Sequence, residues 1–334
     1  MRQWNSGYRA RLLKGCFALS AALLVALTAP VQAQDYPNRP VRMIVAFAAG
    51  GPTDVLARTL AERLSEELGQ SVIIENRGGA GGIVGYGAAA SAPPDGYTIA
   101  FVDPSLTVNP SLHKNLPYDV ERDFTPISSV VRGPTVLVIP KTFDAKTAAE
   151  FVSVAKRNPG KFSYGSAGTG TPPHLNAELF KIAQGIELKH VPYRGAAPAI
   201  TDLIAGRIDA MFLNIGSAKA QIDAGALIGL AVSGSERVAK LPNVPTFRES
   251  GLPVEQLDTG TWWGVVGPAK LPAAIQQKLN RAVNDALKNP QLRARLDEMN
   301  VAPIPSSAEA FGKLISDERL KWADVVKRAN ITME

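Results

Sequence analysis

One device constrains this chain more than any other feature: an apolar strand that ends in small residues and passes at once into a one-faced helix. Its first copy is Val41-Arg42-Met43-Ile44-Val45-Ala46-Phe47-Ala48-Ala49-Gly50-Gly51-Pro52-Thr53-Asp54. From Val55 the apolar residues fall at Leu56, Leu60, Leu64 and Leu68 and stop at Gly69, which predicts a helix with one buried face. Thr53 is placed to cap that helix. The first turn then leaves N–H groups unpaired at the positive end of the helix dipole, and Ala49, Gly50 and Gly51 are small enough to let an anion reach them. The same residues also suit a plain βα turn that needs glycine for its geometry. The second copy runs Phe162-Ser163-Tyr164-Gly165-Ser166-Ala167-Gly168-Thr169-Gly170-Thr171-Pro172-Pro173-His174, with prolines fitted to a first helical turn and Leu175, Leu179 and Ile182 on one face. A single-domain enzyme has little need of two such turns. A protein that closes two lobes on one ligand has a use for both.

Strand and helix patterns alternate between and beyond the two copies. Strands are predicted over 71–75, 97–102, 135–139, 207–214 and 227–233, and helices over 145–156 and through Leu203. Thr261 to Gly267 reads as the path back to the first lobe. Two helices follow, the last opened by a capping box over Ser306 to Glu309 and burying Phe311, Ile315 and Trp322. Alternation of this kind builds a mostly parallel sheet, and ligands of such sheets bind beyond the carboxyl ends of the strands. Gly50-Gly51, Gly79 to Gly82 and Ser105 all stand at such ends. The segment 103–107 reads as a turn whose Ser105 hydroxyl could serve the same crevice.

Residues 1–33 read as a cleaved export signal: a basic head of Arg2, Arg9, Arg11 and Lys14, an apolar run over 16–27 too short to span a bilayer, and Val31-Gln32-Ala33 for cleavage after Ala33. Lys14 and Gly15 argue against lipid attachment at Cys16. Without the segment the net charge of +6 falls to +2, which gives little support for nucleic-acid binding, and the single cysteine is gone. About 300 residues remain, enough for two domains.

Familiar reaction chemistry is missing. Gly85, Gly87 and Ala90 have dinucleotide-fingerprint spacing but lie inside a helix rather than after a strand. No P-loop appears, and His113, His174 and His190 lack metal-ligand spacing. Tyr164-Gly165-Ser166-Ala167-Gly168 lacks the first glycine of a nucleophile elbow, although Ser166 with His174 as its base would be the pair for an exported hydrolase. Asp54 could cap its helix, hold a water or accept from a ligand amine. Tyr193, Trp262 and Trp263 suit either a pocket wall or the core.

Taken together, Tyr36-Pro37-x-Arg39-Pro40, Val45-x-Phe47-x-x-Gly50-Gly51-x-x-Asp54, Glu75-Asn76-Arg77-x-Gly79-Ala80-Gly81-Gly82, Pro94-Asp95-Gly96-Tyr97-Thr98, Leu116-Pro117-Tyr118-Asp119, Tyr164-Gly165-Ser166-Ala167-Gly168, His190-Val191-Pro192-Tyr193, Leu241-Pro242-x-Val244-Pro245-Thr246 and Lys321-Trp322-x-x-Val325-Val326-Lys327 resemble the Bug (TctC-like) family. These are extracytoplasmic solute receptors of tripartite tricarboxylate transporters. The resemblance runs in order over the whole mature chain. It implies an α/β, type II, flytrap-like periplasmic binding protein, each lobe a mostly parallel sheet flanked by helices. Lobe 1 would comprise 34–134 and 258–334, lobe 2 135–257, with the cleft between. It carries ligand contacts onto Phe47, Ala49, Gly50, Gly51 and Asp54 in one lobe and Ser166, Ala167, Gly168, Thr169 and Thr171, with His174, in the other. Ser105, Tyr193, Asn214 and Trp263 are expected around the rest of the pocket. Three departures from the family pattern stand out: Ala48-Ala49 for two prolines, Leu213 for an aspartate before Asn214, and Thr169 for asparagine. The second removes a polar group from the expected pocket edge.

The expected function is capture of a small organic carboxylate (a dicarboxylate, an acidic amino acid or an aromatic acid) by a monomeric periplasmic receptor, without cofactor, metal or nucleic acid, for delivery to membrane transporter subunits. A receptor feeding a signalling partner and the Ser166/His174 hydrolase are the alternatives.

Overall fold

The computed structural model describes residues 36–254, 257 and 260–328. The expected signal segment and its cleavage after Ala33 lie outside them. In chain order the first elements are β1 (Val41–Val45), α1 (Pro52–Leu68), β2 (Val72–Asn76), a 3-10 turn (Ala80–Gly82), α2 (Ile83–Ala90), β3 (Thr98–Val102), α3 (Ser105–Leu112) and β4 (Phe124–Gly133). There follow β5 (Thr135–Pro140), α4 (Ala148–Arg157), β6 (Ser163–Ser166), α5 (Pro172–Gln184), β7 (Lys189–Pro192), α6 (Ala196–Ile204), β8 (Ala210–Asn214), α7 (Ile215–Asp223) and β9 (Leu227–Val232). The chain ends with β10 (Thr261–Pro268), α8 (Ala273–Ala286), α9 (Pro290–Glu298), β11 (Ala302–Pro303) and α10 (Ala308–Arg328).

Two sheets result, ordered β11-β4-β10-β3-β1-β2 and β7-β6-β8-β5-β9, with helices against them. Both are mixed. The strands joined by helical crossovers pair in parallel: β1 with β2 and β3, β6 with β7 and β8. Strands next to the passages between sheets pair antiparallel: β10 with β3 and β4, β5 with β8 and β9. The chain leaves the first sheet at Gly133 and re-enters it at Thr261, and these two residues face each other across the β4–β10 ladder. Gly260, at φ +67, lies so close that a Cβ there would sit 2.6 Å from the Gly133 carbonyl oxygen. Only glycine lets the two crossing segments run side by side.

Local periodicity gives most elements. α1 buries Leu56, Leu60, Leu64 and Leu68 and ends at Gly69 in the left-handed region, as its spacing predicts. Four local expectations are corrected. The N-cap of α1 is Gly51, with Pro52 first in the helix; Thr53 makes no capping bond, and its hydroxyl accepts from Trp263 Nε1 at 3.1 Å. Ser105, read as part of a turn, opens α3, whose first N–H is drawn to Asp103 Oδ1 at 3.0 Å. On α5 the buried arc is carried round by Asn176 and Phe180, so Ile182 falls beyond its edge and is 52% exposed. The residue that opens α10 is Ser307, whose Oγ accepts from the Ala310 N–H, while Ser306 Oγ is taken by the Ser129 N–H of β4.

The second sheet separates two apolar layers. Phe212 joins Phe180 and Phe247 on one face, whereas Leu213 packs with Val136, Met211 and Ile215 on the other. Period-two alternation along β8 therefore turns Leu213, expected at the pocket edge, into core at 1% exposure. The Leu213 departure changes packing rather than a cavity wall.

Candidate ligand site

The turn between β1 and α1 is braced from behind by Asp54. Its Oδ2 accepts from the Gly50 N–H at 2.9 Å and from Arg58 Nε at 3.0 Å, and its Oδ1 from Asn76 Nδ2 at 2.8 Å. Asn76 Nδ2 also donates to the Phe47 carbonyl at 3.0 Å, which ties the end of β2 to the turn. Burial pushes the Asp54 carboxyl up, but the hydrogen bonds from Arg58, Gly50 and Asn76 outweigh it and hold the group below the usual carboxylate range. Of the roles open to Asp54, the structure displays the internal brace. The Gly50 N–H is consumed by it, while the N–H groups of Thr53 and Asp54 meet no acceptor among the described residues.

The turn between β6 and α5 is also held from behind. Ser166 Oγ accepts from the Gly168 N–H at 3.1 Å, Thr171 Oγ1 donates to the Gly168 carbonyl at 2.6 Å, and His174 Nδ1 accepts from the Gly170 N–H at 3.1 Å. Because Nδ1 accepts, His174 is a neutral imidazole with its proton on Nε2. His190 stacks on His174 with ring centres 4.1 Å apart and on Tyr164 at 4.9 Å. Burial, helped by the Lys181 charge, lowers His174 to about 4, and burial followed by its neighbour His174 lowers His190 to about 3. The Ser166 hydroxyl lies 2.7 Å from His190 Nε2, not against His174, and it has no exposed surface. The Ser166/His174 pair of the hydrolase alternative is thus not formed, and both side chains serve the turn.

Between the two turns lies a closed-in cavity of about 50 Å³. Phe47, Gly51, Thr53 and Asp103 line it from beside the first sheet, and Ala167, Thr171, Pro172, Ala196, Phe212 and Asn214 from beside the second. Thr135, Thr261 and Trp263 close it where the chain crosses between sheets. Asn214 uses its Oδ1 to cap α7 through the Ser217 N–H, so its amide donors are left for other partners.

Of the residues singled out from sequence, Phe47, Gly51, Ala167, Thr171, Asn214 and Trp263 come together on this lining. Ala49 and Gly50 stand exposed on the outer side of their turn. Asp54, Ser166, Gly168 and His174 lie behind the turns as braces. Ser105 lies behind Asp103, which it hydrogen-bonds. Tyr193 donates to Asp202 at 2.8 Å instead of facing the cavity. The carbonyl of Thr169 is pressed against Gly81, where a Cβ would lie 2.1 Å from that oxygen, so the Gly79–Gly82 turn meets the second sheet's turn directly. Sequence reasoning missed Asp103, Phe212 and Ala196. Asp103 carries a visible signal, an acid at the end of a strand.

Two α/β sheets joined by crossing strands, with a cavity between a strand-end turn of each, define the periplasmic binding protein architecture. The chain belongs to the TctC family, the tripartite tricarboxylate transporter family receptors, which matches residues 56–331. It is 34% identical over 310 residues to BugT of Bordetella pertussis, covering 92% of this chain and 94% of that protein. Among solved structures, one described as a periplasmic transporter superposes with TM-score 0.85 at 41% identity, covering 90% of this chain and all of that one. The R. palustris protein Rpa4515, solved with adipate, gives 0.85 at 34% identity, covering 89% and 99% of the two chains. MatC of Rhodopseudomonas palustris, solved with malate, gives 0.83 at 32%, covering 87% and 100%. The chain is a solute-binding receptor rather than an enzyme.

Proposed function

We propose that this receptor is exported, loses residues 1–33 by cleavage after Ala33, and as a periplasmic monomer captures a small organic carboxylate for membrane subunits of a tripartite tricarboxylate-type transporter. The observation that carries the reading is the cavity itself: the first turn of α1 and the turn ahead of α5 face it from opposite sides, and its lining holds no lysine, arginine or histidine. A carboxylate here is met by backbone N–H groups and helix dipoles instead of a basic side chain. The adipate and malate bound by relatives support that ligand class. The two sheets with their helices act as lobes, 34–134 with 258–334 and 135–257, and swing about the paired crossing segments at Gly133 and Gly260. Closure then adds hydrogen bonds from both lobes to one ligand and shifts an open–closed equilibrium.

A thermal-shift screen of the mature protein against carboxylates and their amides tests this. A ligand that binds only the folded state raises the melting temperature by mass action. The expected result is a shift with one class of acid and none with the matching amide, abolished by Gly51→Leu, whose side chain would fill the cavity. Equal shifts with acid and amide would defeat the carboxylate reading.

A further inference from the structure

Asp103 is a carboxylate 3% exposed that lines the cavity and forms no ion pair among the described residues. Its Oδ1 accepts from the Ser105 N–H at 3.0 Å, the Ser105 hydroxyl at 2.5 Å and the Tyr86 hydroxyl at 3.1 Å. Its Oδ2 has only the Thr53 hydroxyl, at a long 3.4 Å. Four neutral donors orient the group and none cancels its charge. A buried carboxylate without a cation is costly, and the cost is recovered when a cation arrives.

Thr53 is the second residue of α1, so the under-used oxygen lies one hydroxyl away from the helix turn that offers N–H groups to an anion. A ligand in this cavity meets donors and a negative charge side by side. A plain dicarboxylate would bring like charge to Asp103, and a long diacid would put its second charge far from it.

Resting on the receptor reading above, we propose that Asp103 is a specificity-determining residue and that the ligand is a zwitterion, an amino acid whose ammonium group, one or two carbons from its carboxylate, donates to Asp103 Oδ2. Burial raises the affinity of Asp103 for a proton, and the same low-dielectric setting strengthens its attraction for an ammonium.

Affinities of the mature protein are measured for amino acids and for the deaminated acids of the same skeleton, aspartate against succinate, glutamate against glutarate, alanine against propionate, with malate as a hydroxy acid. At least one amino acid is expected to bind about tenfold or more tighter than its deaminated partner and than malate, the size of one charge-assisted hydrogen bond. Asp103→Asn, isosteric but uncharged, should bring that ratio down to about threefold or less, with its ligand-free melting temperature reporting that it folds. Equal binding of the paired ligands, tighter binding of the deaminated acid or malate, or an unchanged ratio in the variant would overturn the proposal while leaving the carboxylate receptor standing. Failure of every carboxylate, amino or not, would bring down both. Should Asp103→Asn not fold, the wild-type ratio alone decides.

Discussion

His174 and His190 make the stability of this protein acid-sensitive well above the range in which carboxylates titrate. The folded protein holds them near 4 and 3, against 6.5 for a free imidazole. The unfolded chain therefore binds more protons at every pH between those values, and stability falls as the pH falls. The contribution is whole above pH 6.5 and is lost progressively as the pH drops to the folded values. At pH 5 each histidine costs about 2 kcal/mol, about 4 kcal/mol for the pair, from the proton-linkage relation. That is a large part of the 5–15 kcal/mol that typically holds a folded protein together. Urea unfolding midpoints at pH 7, 6 and 5 measure the loss directly. A His174→Gln/His190→Gln protein, whose amides can still accept and donate hydrogen bonds, should lose most of the slope. His113, also lowered by burial, is common to both proteins and cancels in the difference. Asp54, Asp123, Asp202 and Glu249 are held below their ordinary values, so their losses fall at lower pH. A wild-type midpoint that stays put from pH 7 to 5, or a doubly substituted protein that keeps the full slope, would refute the assignment. The folded protein keeps both rings neutral down to about pH 5, so the ligand affinity of the folded state should hold over that interval and weaken only as the pH approaches the folded values.

Gly81→Ala places a Cβ against the Thr169 carbonyl and forces alanine to φ +60. Its melting temperature should drop by an amount worth about 1–2 kcal/mol of backbone strain, and ligand affinity should fall further, about 5- to 100-fold, since the clash exists only when the two turns meet. Titration calorimetry showing unchanged affinity would remove that contact from the closure. Asp54→Asn sets amide hydrogens among the Gly50, Arg58 and Asn76 donors and should cost about 1–3 kcal/mol in urea unfolding. Trp263→Phe deletes the donor to Thr53 and should cost about 1 kcal/mol while loosening the wall beside Asp103. No change in either stability or ligand affinity would mean that this bond orders nothing.

The strand–turn–helix devices, the buried face of α1, the α/β class and the family were legible in the sequence, because each rests on contacts a few residues apart: an apolar period, a glycine at a helix end, prolines at a helix start. Gly51 could be placed beside the crevice for the same reason, as a strand-end residue of an α/β sheet, whereas Phe47, Ala167 and Thr171 were expected there only through the family resemblance. What escaped depends on partners far along the chain. Thr53 is drawn from capping by Trp263, 210 residues on, and Ser306 by Ser129. Ser166 meets His190 rather than the nearer His174 because β6 and β7 are paired in parallel, a register fixed by strand association. Leu213 faced the core and Asn214 the cavity only once β8 had taken its place between β6 and β5. Asp103 reads in sequence as one more turn acid. It becomes a buried charge without a counter-ion only after α1, β3 and the crossing strands have closed around it, since desolvation is a property of the assembled surroundings and not of the residue.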